Sequence, residues 1–216
     1  VEKIIASNGK NIKVGEETGI MHSIASKIIN DKFKLNINYT DIRDEIINKY
    51  YNKGLITDDK NIIFTDKSLE NFFYLDIIKN VFPEAKIVNC VRDRVQSIVS
   101  IIKNNLVGIS WTHNLNDILK FFEIYSDILK KQKKKYPGFI YDLKLEALIE
   151  NPEIESKKLM NFCNLPWNKK CLEFYKRKDI SSKTLSNIQI RKPIYTGHQN
   201  QYTFYEEILK NMNLLP

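Results

Sequence analysis

Two cationic residues stand where short apolar runs end, a placement suited to holding an anion. Arg92 directly follows AKIVNCV (85–91), and Ser100 lies a little over two helical turns further on, on roughly the same side. A guanidinium at a strand end can hold a phosphate through two parallel hydrogen bonds, and a serine hydroxyl can add a third. The same residues fit a plainer arrangement, with Arg92 paired to Asp93 or a sheet-edge carboxylate and Ser100 on a solvated face. Lys67, after NIIFTD, is placed to donate to an oxygen in a cleft, although most lysines of this chain must be surface residues. Glu16 and Glu17, in GEET (15–18), stand where a loop enters a helix, where carboxylates complement the positive end of the helix dipole.

Other chemistry-bearing residues point to less. KKQKKK (130–135) has only Tyr136 beside it and no interleaved aromatics, so it reads as a solvated helix end rather than a nucleic-acid or membrane patch. His22, His113 and His198 have no partner at metal-ligand spacing, and His22 lies among apolar helix positions, as a core histidine would. No metal site is expected. Neither GxxxxGK followed by Ser or Thr nor GxGxxG occurs, which removes the main support for Walker-type and dinucleotide-binding readings. Cys90, Cys163 and Cys171 are odd in number and show no CxxC spacing, so no cysteine chemistry is assigned.

These residues are positioned by a recognisable alternation of elements. VEKIIAS (1–7) reads as an amphipathic helix with no N-cap before it. In IMHSIASKII (20–29), Ile20, Ile24 and Ile28 recur at helical spacing beside Met21, Ala25 and Ile29. Residues 40–53 run from a Thr40 N-cap to a stop at Gly54. NIIFT (61–65) reads as a strand, followed by a turn and a helix carrying Leu69, Phe73, Ile77 and Val81. AKIVNCV is a second strand, apolar enough to be covered on both faces, with a helix from Asp93. A long helix bearing Ile118, Phe121, Phe122, Tyr125, Ile128 and Leu129 ends before Pro137-Gly138, and FIYDL (139–143) is a third strand. Helices at 152–163 and around 171–176, a polar loop over 178–200 and a terminal helix complete the chain. Alternating strands and helices predict a parallel sheet with helices on both faces, whose ligands sit at the C-terminal ends of the strands.

The 216 residues suit one domain, since single cores extend to roughly 250 residues. A 43% hydrophobic and 28% charged composition supports a packed core and excludes disordered, collagen-like and fibrous classes. No apolar run reaches the roughly 18 residues of a membrane helix, and no signal segment is recognisable, so a cytoplasmic location is expected. The net charge of +8 suits an anionic partner, though saturation with Lys, Asn and Ile weakens that inference.

The stretch FTDKSLENFFYLDIIKNVFPEAKIVNCVRDRVQSIVSI (64–101) closely resembles the sulfotransferase superfamily, especially its tetratricopeptide-linked bacterial and tyrosylprotein branches. The resemblance continues through GISWTHNLNDI (108–118), LEALIENPE (145–153), LMNFCNLPWN (159–168) and LSNIQIRKPIY (185–195). It implies a three-layer α/β/α fold with a central parallel sheet, P-loop-like in type. It implies the donor 3′-phosphoadenosine 5′-phosphosulfate and the product adenosine 3′,5′-bisphosphate, with Arg92 and Ser100 on the 3′-phosphate. Lys67 falls at the family's catalytic lysine, Glu17 at its base with Glu16 as the other candidate, and Ser186 with Arg191 or Lys192 in a late loop closing over the nucleotide.

The resemblance also places the family's first strand and 5′-phosphosulfate loop upstream of Val1, so the domain is expected to be truncated at its N-terminus. A tetratricopeptide region further upstream is expected with it. Leu145 stands where relatives usually have Tyr. The acceptor expected is a hydroxyl of a peptide tyrosine, a glycan or a small molecule, and neither nucleic acid nor membrane is expected as a partner. The alternative is a non-catalytic remnant that keeps a phosphate site and transfers nothing.

Overall fold

Two pairs of parallel strands carry the architecture. The computed structural model describes residues 1–9, 11–30, 39–59, 61–177, 179 and 191–194. β1 (Ile12–Val14) pairs with β2 (Ile63–Thr65), Ile12 opposite Ile63 and Val14 opposite Thr65. β3 (Ile87–Val91) pairs with β4 (Ile140–Lys144), Ile87 opposite Ile140 and Val91 opposite Lys144. Parallel neighbours cannot be joined by a tight turn, so each pair requires a helical crossover. α2 (Ile20–Asn30) and α3 (Tyr39–Asn52) lie between β1 and β2; α5 (Arg94–Asn104) and α6 (Leu115–Lys135) lie between β3 and β4.

The expected parallel α/β class is what the chain adopts, with a smaller sheet: among the described residues the strands form two separate two-stranded pieces. β1 is an addition to the three predicted strands. Its three residues, IKV, are too few to show an alternating pattern between polar neighbours. The apolar β3 is only half covered rather than buried on both faces.

Local chemistry sets the helix boundaries. The Asp93 side chain accepts the Gln96 N–H at 2.8 Å and caps α5, which ends where Asn105 turns left-handed at φ 42°. Asn114 caps α6 by accepting from the Asn116 and Asp117 amides. Gly54, at φ +71°, closes the turn after α3. The helix predicted from Leu69 begins as a 3₁₀ segment, Leu69–Tyr74, before α4 (Leu75–Val81), and the segment around Cys171 is also 3₁₀, Lys169–Lys176. The expected terminal helix, and the 178–200 loop apart from residues 179 and 191–194, lie outside the described residues.

Three apolar clusters fix these elements. One joins Ile24 of α2, Ile46 and Tyr50 of α3, Leu75 and Val81 of α4 and Leu129 of α6. A second holds the two strand pairs together, since Ile12 of β1 and Leu143 of β4 meet over Ile4 of α1 (Glu2–Ala6), Leu148 of α7 (Leu145–Glu150) and Leu159 and Met160 of α8 (Pro152–Phe162). Ile98 and Val99 of α5 and Ile118 of α6 form the third. Cys171 is fully buried in the second cluster, and burial pushes the Cys163 thiol up to about 11, which keeps that thiol protonated at neutral pH. Among the described residues no helix is long and apolar enough to cross a membrane, and no three His, Cys, Asp or Glu side chains group as metal ligands.

The lysine cluster at the end of α6 is partly structural rather than merely solvated. Lys135 (2.7 Å), Gln132 (2.9 Å) and Tyr136 (2.8 Å) all donate to the carboxylate of Asp76 in α4, and Lys133 reaches Asp142 in β4. Partial burial of Asp76 opposes its ionisation, yet the donors from Lys135, Gln132 and Tyr136 outweigh it and hold its pKa below the ordinary 3.8. A carboxylate with a lowered folded pKa stabilises the fold above its unfolded pKa, and that stabilisation is lost as pH falls through the folded value. The melting temperature is therefore expected to decline below about pH 4. In Asp76→Asn the decline should be shallower and the neutral-pH melting point lower. Identical acid limbs in thermal melts of the two proteins would remove Asp76 from this role.

Candidate functional site

Because β1 and β2 run parallel, the loops that leave them emerge on one edge. Gly15-Glu16-Glu17-Thr18 follows β1, and Asp66-Lys67-Ser68 follows β2. The two backbones touch at Gly15, where an added Cβ would stand 2.1 Å from the Thr65 carbonyl oxygen, so no side chain fits. The Lys67 N–H donates to the Glu16 carbonyl at 2.7 Å, and the Gly19 N–H donates to Ser68 Oγ at 3.0 Å.

This contact sorts the two glutamates. Lys67 Nζ donates to Glu17 Oε1 at 2.8 Å, with Lys67 33% and Glu17 56% exposed. Glu16 takes a left-handed backbone, φ 54°, and turns its carboxylate inward to Lys3 at 3.2 Å, where both side chains are largely buried. The Glu16 N–H is held by Glu2 Oε1 at 3.0 Å, which also accepts from Thr65 Oγ1 at 2.6 Å. The structure thus brings Glu17 and Lys67 together and commits Glu16 to a buried ion pair beneath them. An ion pair as open as Glu17–Lys67 contributes little to stability and is accessible to an incoming ligand.

One group behind the pair went unread in the sequence. Asp66 Oδ2 accepts from Thr18 Oγ1 at 2.5 Å and from Tyr50 OH at 2.7 Å, while Oδ1 accepts from the Ser68 N–H at 2.9 Å and Ser68 Oγ at 2.7 Å. Burial works against the charge on Asp66, and the donors from Thr18, Ser68 and Tyr50 outweigh it, leaving the carboxyl below its ordinary pKa. Burial and the Asp66 charge together push the Tyr50 phenol far above its usual range. Asp66 adjoins Lys67, a local signal, but nothing in the sequence links Tyr50 of α3 to it. A cavity of about 310 Å³ opens beside this edge, lined by Thr18, Gly19, Ile20 and Ser23 on one side and Lys49, Asn52 and Lys53 on the other.

Arg92 stands at the end of β3, half-buried, with Nη2 donating to Gln96 Oε1 at 3.4 Å. Among the described residues no ion pair joins Arg92 to Asp93, whose carboxylate caps α5 and whose N–H donates to Glu146 Oε1 at 2.9 Å. Arg92 lines a cavity of about 260 Å³ whose other walls include Cys90, Val91, Leu143, Leu145 and Leu148. Ser100 lies two turns into α5, where its hydroxyl accepts from Asn104 Nδ2 at 3.2 Å. Arg191 and Lys192 are exposed, and Arg191 Nη1 donates to the Arg177 carbonyl at 2.6 Å, beside α1, where Arg177 holds the Ala6 carbonyl at 3.0 Å. Ser186 lies outside the described residues. His22 is about half exposed rather than a core residue, because its position on α2 faces the 3₁₀ segment, where Nδ1 lies 2.6 Å from Glu70 Oε2 and 2.9 Å from Tyr74 OH.

Comparison with known proteins places this arrangement. The chain is 31% identical over 164 residues to a protein of Aquifex aeolicus (strain VF5) described as "Uncharacterized protein", covering 74% of this chain and 21% of that one. It is 24% identical over 149 residues to a Caenorhabditis elegans protein named "Putative protein-tyrosine sulfotransferase", covering 65% of this chain and 57% of that one. The chain thus spans about a fifth of one curated relative and a little over half of the other. Among solved structures, the "Sulfotransferase Domain from the Curacin Biosynthetic Pathway" superposes with a TM-score of 0.50 over 91% of this chain and 77% of that one; at 11% identity the likeness concerns the fold. The model of the "Sulfotransferase family" matches residues 9–169, a span that contains Glu17, Lys67, Arg92 and Ser100, and the chain belongs to that family.

Proposed function

We propose that this chain transfers a sulfuryl group from 3′-phosphoadenosine 5′-phosphosulfate to an acceptor hydroxyl. The observation that carries the reading is the Lys67–Glu17 pair at the C-terminal edge of β1 and β2, 2.8 Å apart and open to solvent. The fit to a polyanionic donor rests on placement: one cation follows β2, another follows β3, and the second stands on the rim of an otherwise largely apolar cavity that suits a nucleoside.

The donor supplies the sulfuryl group and departs as adenosine 3′,5′-bisphosphate. Glu17 accepts the proton of the acceptor hydroxyl as the oxygen–sulfur bond forms. Lys67, drawn off Glu17 by the incoming anion, stabilises negative charge on the oxygen that keeps the electron pair of the broken sulfur–oxygen bond. Arg92 and Ser100 hold the 3′-phosphate and so fix the reacting groups in line. Glu16 takes no part in the proton transfer, because Lys3 neutralises it below the surface. The name of the nematode relative is the reason to try a tyrosine peptide first as acceptor.

Glu17→Gln is expected to lower kcat about 10²–10⁴-fold and Lys67→Ala about 10²–10³-fold, each leaving the Kd for adenosine 3′,5′-bisphosphate within about threefold. Glu16→Gln should instead lower stability by about 2 kcal/mol through loss of its bond to Lys3. Steady-state transfer of labelled sulfate to a tyrosine peptide, with calorimetric titration of the bisphosphate, measures both quantities. Full turnover in Glu17→Gln would remove Glu17 as the base.

Arg92→Ala should weaken bisphosphate binding about 10–100-fold, as expected for the loss of charge-assisted hydrogen bonds to a phosphate. Unchanged affinity in a folded Arg92→Ala protein would place the 3′-phosphate elsewhere.

A further inference from the structure

We propose that Asp66 is the positioning residue of the transfer site, holding the loops of Glu17 and Lys67 in the relative placement that sulfuryl transfer needs. The inference rests on the proposed function for its consequence, but its geometric content stands separately. Glu17 is exposed and Lys67 partly so, and their direct mutual contact is a single hydrogen bond. Such a contact restrains two flexible side chains weakly, so their placement must come from the backbone on either side.

That backbone converges on the Asp66 carboxylate. Thr18 follows Glu17 directly, and its hydroxyl donates to Asp66 Oδ2 while accepting the Ile20 N–H at 3.1 Å, so the Glu17 loop is tied to the first turn of α2. Asp66 and Ser68 flank Lys67, and both donors of Ser68 close on Asp66 Oδ1, which makes a tight turn with Lys67 at its tip. Ser68 Oγ in turn accepts the Gly19 N–H, a second link from the Lys67 loop to α2.

Tyr50 supplies the fixed point. Tyr50 is 3% exposed and its ring packs against Phe64 of β2 at 4.6 Å between centroids, so its phenol reaches Asp66 from a wall of the first apolar cluster. With four donors on two oxygens, Asp66 has little freedom to rotate. Asp66 touches neither reacting group in this arrangement and acts through the loops it joins. A displacement of about 1 Å in either loop is enough to lower a transfer rate about 10²-fold.

The test compares Asp66→Asn, Tyr50→Phe and Thr18→Val with the unaltered chain at a temperature where thermal melts show each to be folded. Expected is a fall in kcat for transfer to a tyrosine peptide of about 10²-fold in Asp66→Asn and about 3–10-fold in the two milder variants. The Kd for adenosine 3′,5′-bisphosphate should stay within about twofold throughout. In a Glu17→Gln background, Asp66→Asn should cost clearly less than in the unaltered chain, because one of the two groups it positions is gone and only Lys67 remains to be placed. Wild-type kcat in folded Asp66→Asn and Tyr50→Phe, or full additivity with Glu17→Gln, would overturn the proposal.

A crystal structure of the Tyr50→Phe, Thr18→Val double variant separates this inference from the reading beneath it. Separation of Lys67 Nζ from the Glu17 carboxylate there supports positioning, whereas an intact contact near the original 2.8 Å refutes it. That readout holds even if the unaltered chain transfers no sulfate, an outcome that would sink the proposed function alone.

Discussion

The structure hangs on the parallel pairing of β1 with β2, for that pairing delivers two chemically distinct loops to one edge. Three residues per strand are enough because Gly15 lets the backbones close over Thr65, and because the Lys67 N–H then finds the Glu16 carbonyl. Without that approach, Glu17 and Lys67 are fifty positions apart in a chain whose lysines are mostly ordinary surface residues. With it, a carboxylate and an ammonium meet in water at an edge where ligands of parallel α/β proteins bind.

Burial then divides labour among carboxylates that the sequence presents alike. Glu16 and Glu17 are neighbours of the same type, yet the left-handed backbone of Glu16 sends one side chain down to Lys3 and leaves the other at the surface. Asp66 is held charged by its donors against the desolvation that opposes it, and Asp76 uses the same balance to secure α6. In each case the carboxylate joins elements that the chain keeps far apart, which makes these groups structural links first and titratable groups second. The Asp93 carboxylate illustrates the rule in reverse: it caps α5, and among the described residues no ion pair joins it to Arg92.

Much of this was legible in the sequence. Helical spacing in IMHSIASKII, the Gly54 stop, the apolar runs before Asp66 and Arg92 and the Pro137-Gly138 break all mark elements that the fold contains, since each depends on neighbours within a turn or two of chain. Local pattern fails where the determinant is distant or short. β1 has too few residues to show a period, and its existence depends on pairing with β2. His22 has the apolar neighbours of a core residue but faces Glu70 and Tyr74 outside the core, and the α6 lysines look solvated until Asp76 and Asp142 are brought beside them.

The sequence by itself determined the class of fold, the family and the residue types at the strand ends, because hydrophobic period and short motifs are local properties of the chain. Tertiary structure alone decided which glutamate meets Lys67, that Asp66 gathers Thr18, Tyr50 and Ser68, and that Arg92 borders a largely apolar cavity. Those outcomes depend on backbone handedness at one residue and on contacts between elements separated by fifty positions or more in places, and no local pattern encodes either.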